Sequence, residues 1–118
     1  MDEKVHTNYP KFELDPTHDP ELYFSVRMSM EDNLSQLPKS GIDVIFRLQS
    51  GAKLSRMFNP SDPIELLYDF VFLKLTEVDM SKHINFYLAE QFTRQKLLDI
   101  TLPISALGEE ERLQVNVN

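Results

Sequence analysis

The sequence predicts an α+β fold in which one main helix covers one mixed sheet. Three observations carry the expectation: short β-rich runs from Gly41 onward, one apolar stripe at helical spacing, and turn residues between them. Ile42-Asp43-Val44-Ile45-Phe46-Arg47-Leu48 reads as a first strand, and Lys53-Leu54-Ser55-Arg56-Met57-Phe58 as a second. Gln49-Ser50-Gly51-Ala52 lies between them, with glycine where a hairpin turn needs one. Asn59-Pro60-Ser61-Asp62-Pro63 is a helix start, in which Ser61 or Asp62 can cap and a proline loses no hydrogen bond. From Ile64 to Leu75, the residues Ile64, Leu67, Tyr68, Val71 and Leu75 share one stripe. Ile84 to Leu88 reads as a third strand and Lys96-Leu97-Leu98 as a short fourth. Pro103 to Gly108 is a helical turn stopped by glycine, and Leu113 to Val117 alternates as a last strand. Leu67, Val71, Phe86 and Leu88 are the expected core.

Strand, strand, helix, strand, strand, turn, strand is the element order of a ubiquitin-like β-grasp fold. Ahead of it, residues 1–18 carry two prolines and no sustained period, which predicts a disordered tail. A short helix is expected at 19–34, a linker at 35–41 and the folded domain at 42–118.

Composition removes several classes of function. The chain has 118 residues, 42% of them hydrophobic, enough for one domain plus a tail. It has no cysteine, which excludes disulfides and thiolate metal or redox sites. His6, His18 and His83 are too scattered for a metal site on spacing. A net charge of -7 argues against nucleic-acid or anionic-membrane surfaces, which need clustered Lys and Arg. No apolar run reaches the roughly 20 residues of a membrane span, and the start lacks a signal-peptide core. A cytoplasmic location, extending to the nucleus, is the expectation. No nucleophile triad or phosphate loop is in motif context, and Glu109-Glu110-Glu111 reads as a solvated run. The chain is expected to be no enzyme and to need no cofactor or metal. Its Val-Asn-Val-Asn ending is not that of a conjugatable modifier.

Residues 46–71, FRLQSGAKLSRMFNPSDPIELLYDFV, resemble the first half of a UBX domain. The likeness rests on an arginine in the first strand, a glycine turn, a second strand ending in Phe, and the helical run Leu67-Tyr68-Asp69-Phe70-Val71. Phe86-Tyr87-Leu88, Gln91-Phe92-Thr93-Arg94 and Leu98-Asp99-Ile100-Thr101-Leu102 extend it over roughly 42–117. The resemblance implies docking on the N-domain of valosin-containing protein, the hexameric AAA unfoldase. A strand arginine and a Phe-Pro-Arg turn make that contact in the family, and here Arg47, Phe92 and Arg94 match. Thr93 replaces the proline. A cis bond before threonine would cost about 2.5–4 kcal/mol, so the turn is expected to be remodelled in trans or less pre-organised.

Asp19 to Asp32 resemble a ubiquitin-interacting motif, close to that of the proteasomal ubiquitin receptor in the Asp-Pro-Glu-Leu opening and Arg-x-Ser-Met-Glu close. The motif implies ubiquitin as partner, with the proteasome as a further candidate. Leu22 matches its apolar anchor, Ser29 its serine, and Ser25 replaces its alanine. At 100° per residue Leu22, Val26 and Met30 line one face, Ser25 and Ser29 its edge, and acids such as Glu21 are available for basic residues around the partner's patch. Leu22, Phe24, Val26, Met28 and Met30 also alternate as a strand would. The Asp19-Pro20-Glu21 start favours helix, with strand and disorder until bound as the alternatives. Phe24 and Met28 fall on the other face, where they could rest on the chain's own domain. The expected function is a non-catalytic adaptor bridging ubiquitylated clients to the unfoldase. Its alternatives are a ubiquitin-like scaffold with the helix packed in cis, and a non-catalytic fragment of a larger ubiquitin-pathway enzyme.

Overall fold

The computed structural model describes residues 9–77, 79, 84–108 and 111–118. They divide into a sheet unit, Pro38–Ile64 with Phe86–Asn118, and a helical unit, Tyr9–Leu37 with Glu65–Asn85. The sheet consists of β1 (Ile42–Arg47), β2 (Lys53–Phe58), β3 (Leu88–Glu90) and β4 (Arg112–Val117). Its strand order is β2-β1-β4-β3. β1 and β2 form the expected hairpin, from Ile42 opposite Phe58 to Arg47 opposite Lys53. β4 runs parallel to β1 and antiparallel to β3, which makes the sheet mixed.

Alternation sets the sheet's two faces. Ile42, Val44 and Phe46 are buried in β1, as are Leu113, Val115 and Val117 in β4. Val44 lies opposite Leu113 and Phe46 opposite Val115, so the apolar residues of both strands share a face. Each such burial contributes about 1.5–3 kcal/mol. Phe46 meets Phe58 edge-on, with centroids 6.3 Å apart. Gly51 closes the hairpin at φ 92°, a conformation that costs glycine nothing for want of a Cβ. A Cβ on Gly41 would stand 2.2 Å from the Phe58 carbonyl oxygen, so only glycine lets the chain enter β1 this close to the end of β2.

The third strand lies later than expected. Tyr87 and Asn118 still exchange backbone hydrogen bonds, yet only Leu88–Glu90 forms a strand beside β4. The expected fourth strand at Lys96–Leu98 is reduced to a bridge between Ala89 and Lys96, with Leu97 N donating to the Leu88 carbonyl at 2.8 Å. The chain reverses between Glu90 and Gln95, which leaves room for little pairing. The short 3-10 helix Ile104–Leu107 stops at Gly108, where the sequence places its end.

In the helical unit, α2 spans Ile64–Leu75 as the stripe predicts. Leu67 and Val71 are fully buried, as Phe86 and Leu88 nearly are in the sheet unit. Asp62 Oδ2 accepts from Asn59 N at 2.9 Å, closing the preceding turn, while Ile64 N donates to the Leu102 carbonyl. Burial also spreads beyond the stripe to Asp69 and Phe72, and the reason lies in the segment expected to be disordered.

That expectation fails for the described part of the tail. Residues 1–8 lie outside the described residues, but Pro10–Glu13 form a 3-10 helix, with Tyr9 and Phe12 buried. The Tyr9 ring stacks on Tyr68 at 5.2 Å and meets Phe12 edge-on at 4.8 Å. Its hydroxyl donates to Asp69 Oδ1. Lys11 Nζ donates to both Asp69 oxygens, at 2.8 and 3.1 Å, and to Glu65 at 3.1 Å. Two aromatics thus cover one side of α2, and Lys11 compensates a carboxylate that burial alone would penalise. No periodicity announces such a segment, because two buried rings over four residues are too few to form one.

α1 spans Pro20–Asn33, so the helical reading prevails over the alternating one. The Asp19 carboxylate accepts from Leu22 N at 3.1 Å, and Pro20 occupies the first turn. A strand offers this aspartate no comparable role.

The cluster around Asp69 fixes a pH dependence. Burial, then the charge of Asp69, holds the Tyr9 hydroxyl far above its ordinary value. Burial opposes the charge on Lys11, but hydrogen bonds and attraction to Asp69 and Glu65 outweigh it and raise the ammonium as well. Burial raises the Asp69 carboxyl more than Lys11 and Tyr9 pull it down. All three shifts have one sign: the folded chain holds these protons more tightly than the unfolded chain. Their contribution is therefore lost with rising pH, and Tyr9 and Lys11 lose theirs above about pH 10. Melting temperature should fall more steeply from pH 9 to 11 in wild type than in Tyr9→Phe. Equal slopes would show that the hydroxyl is uncoupled from folding.

Candidate protein-docking sites

In the sheet unit, β1 ends on Arg47, and the turn after β3 carries Phe92, Thr93 and Arg94. Arg47 lies opposite Asn116 of β4, which in turn lies opposite Ala89 of β3. The Arg47 guanidinium donates to Gln114 Oε1 through Nε at 3.2 Å and Nη2 at 2.8 Å. Gln114 also accepts Gln91 N at its backbone carbonyl, 3.0 Å away. One residue of β4 thus joins the strand arginine to the base of the turn. Gln114 escaped the sequence reading because a parallel pairing between chain positions 67 apart leaves no local signal.

The turn is ordered without proline. Thr93 donates to Glu90 Oε2 through both its N–H and its hydroxyl, each at 2.6 Å. Arg94 N donates to the Glu90 carbonyl at 2.9 Å, and Gln95 N reaches the Thr93 hydroxyl. The two bonds from Thr93, hydroxyl first, hold the Glu90 carboxyl below its usual range. No cis peptide occurs among the described residues, so the turn is remodelled in trans. Arg94 sits at φ 60°, a conformation that costs a non-glycine residue about 1–2 kcal/mol. Phe92 stands 74% exposed at the tip. It borders two surface hollows, one beside Ile104 and Leu107, the other beside Arg94 and Asn116. An exposed ring with the Arg94 cation beside it is suited to an apolar pocket with acceptors at its rim.

Thr93→Pro would bring the turn nearer the family pattern, yet it deletes both donors to Glu90. The expected result is a looser turn, with faster amide exchange at Gln95 and no gain in docking. A tighter complex would show that the Glu90 bonds are dispensable.

In the helical unit, α1 is held by one side. Arg27 Nη1 donates to Thr76 Oγ1 at 2.6 Å and to the Tyr23 hydroxyl at 3.3 Å, while Nη2 reaches the Leu73 carbonyl at 3.4 Å. Arg27 thus binds α1 to the C-terminal end of α2, where free carbonyls favour a cation. Tyr23 and Met30 are buried at 2% and 1% exposure, and Val26 and Arg27 are half-buried. Tyr23, Val26, Arg27 and Met30 form the i, i+3, i+4, i+7 set of the docked side. This corrects two expected contacts. Met30, assigned to the partner-facing side, is enclosed, and Val26 is half-covered. Phe24 and Met28, expected on the inward side, are exposed at 43% and 64%. The expected small-residue face survives differently. Glu21, Leu22, Ser25 and Ser29 are all exposed, with Leu22 at 50%. The docked set was legible in principle, but the competing strand alternation concealed it.

Among the described residues no group of side chains could hold a metal ion, and no helix is long and apolar enough to cross a membrane.

A four-stranded mixed sheet with this hairpin, helix and exposed aromatic turn defines a ubiquitin-like module. A solution NMR structure of the ubiquitin-like domain of an Arabidopsis thaliana protein is similar in fold. The identity is 17%, the match covers 71% of this chain and 82% of that one, and the TM-score is 0.50. The family model for the UBX domain matches residues 36–109, and the chain belongs to that family. The UBX domain is a non-catalytic interaction module whose general partner is the N-domain of valosin-containing protein. No curated protein matches the chain.

Proposed function

We propose that this chain is a non-catalytic adaptor that holds ubiquitin, or a ubiquitylated client, on the N-domain of the hexameric unfoldase valosin-containing protein. The observation that carries the reading is that α1, docked through Arg27, keeps Leu22, Ser25 and Ser29 exposed. Family membership and the exposed Phe92 beside Arg94 support the unfoldase half. Docking of α1 in cis also favours the scaffold alternative. That reading gives the exposed side no work, and a solvated helix side does not need small serines beside an isolated leucine. The small side chains suit a partner that must come close to the helix, and Glu21, Glu31 and Asp32 suit a basic rim around it.

The test is three-component co-sedimentation of the chain, ubiquitin and the unfoldase. Arg47→Ala should release the unfoldase and keep ubiquitin; Leu22→Ala should do the reverse. If neither substitution alters the assembly, or wild type never forms it, the adaptor reading is wrong. The seven residues between Asn33 and Gly41 span at most about 25 Å, short enough for one bound partner to raise the effective concentration of the other when both fit.

A further inference from the structure

We infer that Tyr9, Lys11 and Phe12 form a latch on Tyr68, Asp69 and Phe72 of α2 that positions α1 for its partner. α1 hangs on α2 at two points. Arg27 binds near the end of α2, at Leu73 and Thr76. The latch binds one to eleven residues earlier, at Glu65, Tyr68, Asp69 and Phe72. Only Glu13 to Asp19 separate the latch residues from the first turn of α1, and this connection is itself folded. Asp15 accepts Thr17 N at 2.9 Å, and Asp19 N donates to the Asp15 carbonyl at 3.0 Å.

The physical need is clear from the length of α1. A 14-residue helix is marginal in water on its own. Without the latch, Arg27 and the buried Tyr23 and Met30 would still hold the docked side, and the start of the helix, just ahead of Leu22 and Ser25, would be its least restrained part. The latch fixes the chain just ahead of that part. It also accounts for Asp69, a carboxylate with 1% of its side chain exposed in the middle of α2. A buried acid is costly unless paired, and both its donors come from the N-terminal segment. Asp69 acts as a receptor that recognises a tyrosine and a lysine two positions apart. A helix already ordered loses less entropy when a partner binds, so the latch strengthens binding without touching the partner.

This inference rests on the ubiquitin reading of α1, and the experiment separates the two. Amide exchange is followed along the full-length chain, with ubiquitin titrated into each variant. Tyr9→Phe and Lys11→Met should speed exchange across Leu22–Ser29 about tenfold while amides of β1 and β4 keep wild-type rates, and should weaken ubiquitin severalfold. Lys11→Arg, which keeps the charge, should restore both. Ser25→Asp should remove ubiquitin with α1 exchange unchanged. Wild-type α1 exchange in Tyr9→Phe and Lys11→Met overturns the latch. Faster α1 exchange with undiminished ubiquitin affinity overturns its positioning role. If wild type binds no ubiquitin while the latch variants still loosen α1, the partner reading falls and the mechanical coupling stands.

Discussion

Val71→Asp is expected to abolish the cooperative unfolding transition. Val71 is fully buried in α2, between Phe70 and Phe72, themselves nearly enclosed. Asp69, two residues earlier, shows what a carboxylate requires there: a lysine, a tyrosine and a covering segment. An aspartate at 71 is set on another side of the helix, away from those donors. An unpaired buried carboxylate costs several kcal/mol against a total stability of about 5–15 kcal/mol. Circular dichroism and melting would check it. A wild-type melting temperature would mean that this side of α2 accepts water.

Phe92→Ala is expected to have the opposite profile, with a large effect on docking and almost none on folding. The ring is 74% exposed, so its removal should change stability by no more than about 0.5 kcal/mol. A central aromatic anchor commonly carries about 2–4 kcal/mol of binding, which is roughly 30- to 1,000-fold in affinity. Calorimetric titration of the isolated unfoldase N-domain would measure this. Unchanged affinity would place the contact elsewhere on the chain. Arg94→Gly relieves the left-handed backbone but removes a rim cation. It should raise stability by up to about 1 kcal/mol while weakening the complex, the pattern of strain kept at a docking turn.

Much of this protein was legible in its sequence, because the signals were local. The bounds of α2 follow from Pro63, a helical stripe and twelve contiguous residues. The hairpin follows from two β-rich runs around Gly51, and the turn before β4 from Gly108. Family motifs added Arg47, Phe92 and Arg94, each lying where an exposed turn or strand end would put it. Period and turn chemistry suffice for such features, since each is decided within a few residues.

Tertiary structure decided the rest. Which side of α1 faces outward depended on Arg27 finding Thr76 and Leu73, 49 and 46 positions away. That choice enclosed Met30 and exposed Phe24 and Met28. The N-terminal segment folds because Asp69 and the rings of α2 offer it partners, and nothing within Tyr9-Pro10-Lys11-Phe12 reveals that they exist. The turn at Thr93 is organised by Glu90, a substitute for proline that appears only once the chain has doubled back. Local propensity can name a helix. Only a distant donor, acceptor or ring can say which side of it is free.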